Sequence, residues 1–152
     1  MIRYNPLIYL ANQVRGNARE TRLAAMRWTL DFLNRFTQQI AEHADLAELR
    51  NRGFADFESL EDTDRARFNS YMHALFRIVE DVYYQHLEGH LDPHRWRGFE
   101  AVIPDVNTRP GVQVWWRSRS HWFHEDFAKH VNKRQQTAEP PRMYRESMEE
   151  EG

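Results

Sequence analysis

Apolar positions three and four residues apart run through most of the chain, and the strict apolar-polar alternation of a half-buried strand never appears. Asn5-Pro6 has the form of an N-cap followed by proline at the first helical position. Leu7, Leu10 and Val14 continue at helical spacing, which predicts a short amphipathic helix ending near Gly16. A longer helix is predicted from there to about Ala44. Leu23, Met26, Leu30, Leu33, Thr37 and Ile40 step along one side of it, while Ala25, Trp28, Phe32 and Phe36 widen its apolar surface to roughly 220° at ~100° per residue. So narrow a polar face implies packing partners on two sides.

Further along, "ADLAELRNRG" reads as a short helical piece ending at Gly53, and "FADFESLED" links it to the most regular helix, for which Asp62 or Thr63 is the expected cap. Phe68, Met72, Leu75, Phe76, Val79, Val82, Tyr83 and Leu87 form that helix's core stripe. Gly89 is placed for a left-handed C-terminal cap, Asp92 and Pro93 for the N-cap and first position of the next helix, and Leu91 and Trp96 for a hydrophobic staple. A break is expected near Ile103-Pro104, a loop through "PDVNTRPG", and helix again from about Gly111. From Val112 the positions Trp115, Trp116, Trp122, Phe123, Phe127 and Val131 suit one helix, or two with a kink near Ser120 to His124. These elements predict an all-α, single-domain bundle of four to six helices, with the Phe68 helix central and the Leu23 and Val112 helices packed on it. Its segments are an amphipathic start over 1–16, the bundle over 17–136, and an acidic tail over 137–152 that is expected to be disordered.

Composition narrows the chemistry. Zero cysteines among 152 residues remove disulfides and thiolate ligands, and suit a reducing compartment. With 19 Arg, 2 Lys and a net charge of -2, the chain is arginine-rich without a basic field over the whole protein. Charge is segregated instead: +4 over 1–27, -6 over 28–90, +3 over 91–136 and -3 over 137–152. No apolar run approaches the ~18 residues of a membrane span. The expected location is cytoplasmic, with attachment to the periphery of the inner membrane as the alternative.

Candidate sites are weak. His86, His90 and His94 recur every four residues, but a helix stop at Gly89 puts them on a helix end, a loop and a helix start, so no metal site is assigned. None of the fourteen glutamates has histidine three positions on, as a carboxylate-bridged di-iron bundle would need, and "HEDFAKH" has Ala128 where a zinc-protease pattern needs its second histidine. Arg67 with His73, and Arg119 with His124, match the arginine-histidine spacing of small helical HEPN ribonucleases, at about the rate this composition gives by chance. The arginines and aromatics of "RPGVQVWWRSRSHWFHEDF" could stack on single-stranded nucleic acid, but Trp116, Phe123 and Phe127 fit a core face better, with Arg117 and Arg119 balanced by acidic neighbours. Glu80 and Tyr84, one turn apart with Arg77 nearby, suit a structural hydrogen-bonded pair. Phosphate-binding glycine loops and Gly-x-Ser-x-Gly elbows are absent.

From "NRGFADFESLEDTDRARF" to "RPGVQVWWRSRSHWFHEDFAKHV", roughly residues 49–131, the chain resembles a group of uncharacterised bacterial helical proteins. Gly53, Leu60, Arg67-Phe68, Glu80, Gln85, Gly89, Leu91, Trp96, Pro110-Gly111, Trp116, Phe123 and Phe127 carry the resemblance. Members of that group commonly have a membrane-spanning helix before this region, and the resemblance implies no activity or cofactor. The functional expectation is a non-enzymatic interaction or scaffold protein with no catalytic, cofactor or metal residues assigned and no small-molecule substrate. It self-associates or docks into a larger protein assembly, with Trp28, Phe32 and Phe36 as interface candidates. The alternative is a peripheral membrane protein using Leu7, Ile8, Leu10 and Arg15, and a nucleic-acid-binding or RNA-cleaving role stands behind both.

Overall fold

The computed structural model describes residues 6–137, and every described element is helical. The expected acidic tail, apart from Thr137, lies outside the described residues. The chain divides into two compact units, residues 1–38 and 39–152.

Helix α1 (Pro6–Glu42) supplies nearly all of the first unit. The expected break at Gly16 does not occur: a lone glycine inside a helix costs only about 1 kcal/mol against alanine, and no proline follows it to stop the helix. Nor does the expected stripe bury as a whole. Leu23 and Leu30 are exposed, while Thr29 is buried, with Ala25, Met26, Leu33, Phe36 and Ile40 half-buried around it. Thr29 Oγ1 meets its own need by donating to Ala25 O at 3.1 Å.

The second unit holds α2 (Ala44–Ala55), α3 (Asp62–Leu87), α4 (Pro93–Glu100), α5 (Val102–Asn107), α6 (Pro110–Arg119), a 3₁₀ turn (Ser120–Trp122) and α7 (Glu125–Gln136). Its core follows the predicted α3 stripe: Phe68, Met72, Phe76, Val79 and Val82 are buried, and only Leu87, in the last turn, is exposed. Against them pack Val112, Trp115, Trp116, Phe123, Phe127 and Val131. Phe76 sits between the two tryptophans, 4.9 Å from Trp116 and 5.5 Å from Trp115. The indole N–H groups are satisfied: Trp115 Nε1 donates to Asn69 Oδ1 at 2.9 Å and Trp116 Nε1 to Asn132 Oδ1 at 2.8 Å.

Gly53 does not end α2, which continues to Ala55. It serves a close approach instead. A Cβ on Gly53 would fall 2.2 Å from the Phe68 ring, and one on Gly111 would fall 1.9 Å from the Gly53 carbonyl oxygen and 2.8 Å from the Phe57 amide nitrogen. Two glycines thus let α2 and α6 touch backbone to backbone.

The corner between α3 and α4 matches expectation. Gly89 has φ +71°, its amide donates to His86 O, and the His90 amide donates to Gln85 O at 2.8 Å, the bond pattern of a Schellman cap. Asp92 Oδ1 accepts from the His94 amide at 2.8 Å, and Leu91 and Trp96 are both buried. Other boundaries differ. Glu61, not Asp62 or Thr63, occupies the N-cap of α3, so Asp62 and Asp64 lie in the first turn, where carboxylates complement the helix dipole. Pro104 lies in the first turn of α5, where its missing N–H removes no helical bond, so "PDVNTRPG" is mostly helix rather than loop. The kink between Ser120 and His124 is present as the 3₁₀ turn.

Candidate interaction surface

The side chains best placed to meet another molecule lie on α1. Leu7 is 73 % exposed and Trp28 60 %, and Ile8, Leu10, Val14 and Phe32 are exposed as well. Trp28 and Phe32, one turn apart, stack with ring centroids at 5.8 Å, forming a single aromatic ledge. Of the three interface candidates, Trp28 and Phe32 are brought together at the surface; Phe36 is half-buried, because it falls on the side of the helix occupied by Thr29 and Ile40. The four membrane-surface candidates, Leu7, Ile8, Leu10 and Arg15, are all exposed within the first three turns.

Several arginines, histidines and carboxylates of the second unit hold one another. Arg77 is the hub. Its Nη1 donates to Glu80 Oε2 at 2.6 Å, its Nη2 to Trp122 O at 2.9 Å and its Nε to His73 Nε2 at 3.1 Å, with the guanidinium lying over the Phe123 ring. Glu80 is buried, and its second oxygen accepts from the His124 amide at 2.8 Å, just before α7. The two side chains therefore latch the 3₁₀ turn and the start of α7 onto α3. The expected Glu80–Tyr84 hydrogen bond does not form. Both oxygens of Glu80 are taken by groups from its other side, and Tyr84 Oη has no hydrogen-bond partner among the described residues. Burial, with Glu80 and Asp126 nearby, raises the Tyr84 phenol above its ordinary pKa.

Neither ribonuclease-like pair assembles. Arg67 is ion-paired with Asp45 at 2.7 Å and Asp64 at 3.6 Å, whereas His73 packs against Trp122 and Phe123. Arg119 donates to Asn69 Oδ1 and lies over Trp122, so an amide and an indole, rather than an acidic neighbour, hold it. His124 lies against Tyr84 and near Asp126.

The corner histidines also diverge. His86 stacks on Trp96 at 5.2 Å, His90 Nδ1 lies 3.2 Å from Glu88 Oε2, and His94 Nδ1 contacts Arg97. Among the described residues no three histidine, aspartate or glutamate side chains converge as metal ligands.

Sequence reasoning missed two groups. Asn69, whose one carbonyl oxygen serves Trp115 and Arg119 from about fifty residues away, had no local signal. Glu100 lies 3.1 Å from His130 Nε2 and 3.4 Å from Arg134 Nε; neither contact has hydrogen-bond geometry, the Arg134 one is a charge contact, and the His130 one is so only when the imidazole is protonated. Burial holds the His130 imidazole below its ordinary pKa, against the opposing pull of Glu100 and with help from Arg134 and Lys133. Glu100, their partner on α4, is about thirty residues away and had no local signal.

Among the described residues no helix is long and apolar enough to cross a membrane. No protein-family model, curated protein or solved structure matches the chain.

Proposed function

We propose that this is a non-enzymatic helical interaction protein, in which the unit from residue 39 is a packed platform and α1 offers an apolar face to a protein partner. The observation that carries this reading is the exposed Trp28–Phe32 ledge. Two stacked aromatic rings left in water are a poor use of apolar surface unless something covers them, and large aromatics are the side chains that dominate binding energy at protein interfaces. The ionisable groups of the second unit support it from the other side, since Arg77, Glu80 and Arg67 are engaged in holding helices together.

Introducing a charge into the ledge tests the reading. Trp28→Asp and Phe32→Asp should keep native helicity yet shrink the native complexes recovered from the source cell, or the particle mass of the purified chain. If both variants leave both measurements unchanged, α1 is not a docking face and the reading falls.

A second reading has its own observation. Ile8 lies about 100° around the helix from Leu7, so the first two turns are apolar over a wider arc than a protein seam requires, with Arg15 beside them. Flotation with anionic vesicles that is lost in high salt and on Ile8→Asp would support a membrane-surface role for those turns. Absence of flotation at low salt would remove it.

A further inference from the structure

We propose that α1 is a divided helix: residues 25–42 stay folded in the free chain, whereas residues 6–24 form an arm that passes between helix and coil and becomes fully helical only when its apolar side chains are covered. The inference rests on the burial pattern of α1 and does not depend on what covers the arm. Every residue from 6 to 24 is exposed, over 19 residues or about 28 Å of helix at ~1.5 Å per residue. From residue 25 the pattern changes. Thr29 is buried, and Ala25, Met26, Leu33, Phe36 and Ile40 are half-buried on the same side of the helix. Helices in proteins owe most of their stability to burial of that kind, since even alanine-rich peptides of about 12–15 residues are only marginally helical in water.

The arm has little else to hold it. Gly16 stands at its middle with nothing within 4 Å of an added Cβ, so its cost in a helix is not offset by a close approach of the kind that Gly53 and Gly111 make. Ile8, Asn12, Val14, Asn17 and Thr21 are weaker helix formers than alanine. The first turn carries no carboxylate to complement the helix dipole. Charges along the arm add no support. Arg15 and Arg19 are one turn apart, as are Arg19 and Arg22, and like charges at those spacings repel, while Glu20 has only Gly16 and Ala24 four residues away on either side. The held half is laid out otherwise, with Asp31 four residues from both Arg27 and Arg35. Yet the arm also exposes Leu7, Ile8, Tyr9, Leu10, Val14 and Leu23. A segment with that apolar content and so little internal support gains its order when those side chains leave water, and the entropic cost of ordering falls at that moment.

Amide hydrogen exchange on the full chain, read residue by residue, tests the division. Amides of residues 12–23 should exchange within about tenfold of the rates of an unstructured chain, and those of residues 29–40 at least about tenfold more slowly again. Gly16→Ala should slow exchange in the arm by up to about fivefold, the factor that ~1 kcal/mol of helix preference corresponds to, and leave residues 29–40 unchanged. Protection of the arm that is lost on dilution would mean that contact with another molecule orders it, as the proposal requires. Protection equal to that of residues 29–40 and independent of dilution would overturn the proposal, and so would an arm whose exchange Gly16→Ala leaves unchanged. Neither of those two results touches the docking reading, which stands or falls with Trp28→Asp and Phe32→Asp.

Discussion

The protein carries aromatic rings in two contrasting settings. In the second unit Phe68, Trp115 and Phe127 have no exposure and Trp116 almost none, and each indole N–H has an amide oxygen waiting for it. On α1, Trp28 and Phe32 stack on one another at the surface. The difference shows that composition alone does not make a core. Phe68 and its neighbours are buried because α2, α6 and α7 bring a complementary surface to α3, whereas α1 has a comparable apolar face set out along a single rod.

The sharpest way to break the comparison is to truncate one ring in each setting. Phe68→Ala should destabilise the second unit by about 4 kcal/mol in chemical denaturation, because it empties a fully buried site, whereas Trp28→Ala should change the stability of that unit by less than about 0.5 kcal/mol. Comparable effects would mean that Trp28 belongs to a folding core. Glycines sharpen the same contrast. Gly111→Ala should cost about 3 kcal/mol, since the added carbon meets the Gly53 carbonyl and the Phe57 amide, neither of which can move as a side chain does. Glu80→Ala comes next, at about 2 kcal/mol, and should show as faster hydrogen exchange at the start of α7, where the His124 amide loses its acceptor. Gly16→Ala should act in the opposite direction. Nothing lies within 4 Å of the added methyl, so the helicity of α1 measured by circular dichroism should rise, with a gain of up to about 1 kcal/mol.

The smallest effect expected is with pH. Burial lowers the His130 pKa below the ordinary 6.5, so the unfolded chain takes up the proton first. The stability that neutral His130 contributes is fully present above about 6.5 and is lost as pH falls through that value towards the depressed folded one. His130→Gln should flatten the profile of midpoint against pH in that window, and an unchanged slope would show that other groups set it.

Features written in adjacent residues were legible. Gly89, Leu91, Asp92, Pro93 and Trp96 each do what their spacing implies, because a Schellman cap, an N-cap and a staple are closed within a few positions. The α3 stripe was legible for the same reason, and so was the all-helical class. Glycine was the ambiguous letter. Gly16 and Gly53 both lie within helices although each had the appearance of a break, and only the packing of Phe68 and Gly111 distinguishes a tolerated glycine from a required one. The polar contacts were opaque because their partners come from far along the chain: Glu80 meets the amide of His124, and Asn69 meets Trp115 and Arg119. Of the surface candidates, Trp28 and Phe32 were legible as excess apolar residues on one helix, while the half-burial of Phe36 had no signal in the apolar pattern.

The touching backbones of Gly53 and Gly111 also bear on the order in which the second unit assembles. Their segments are about 60 residues apart, so closing that loop costs roughly 3–4 kcal/mol of chain entropy before the contact returns anything. The α3–α4 corner, closed within a few residues, carries no such barrier. The glycine crossing, which also needs α3 to line the other side of Gly53 with Phe68, is therefore expected to form late on the folding route. Strain placed there should then shorten the lifetime of the folded molecule more than it slows its formation.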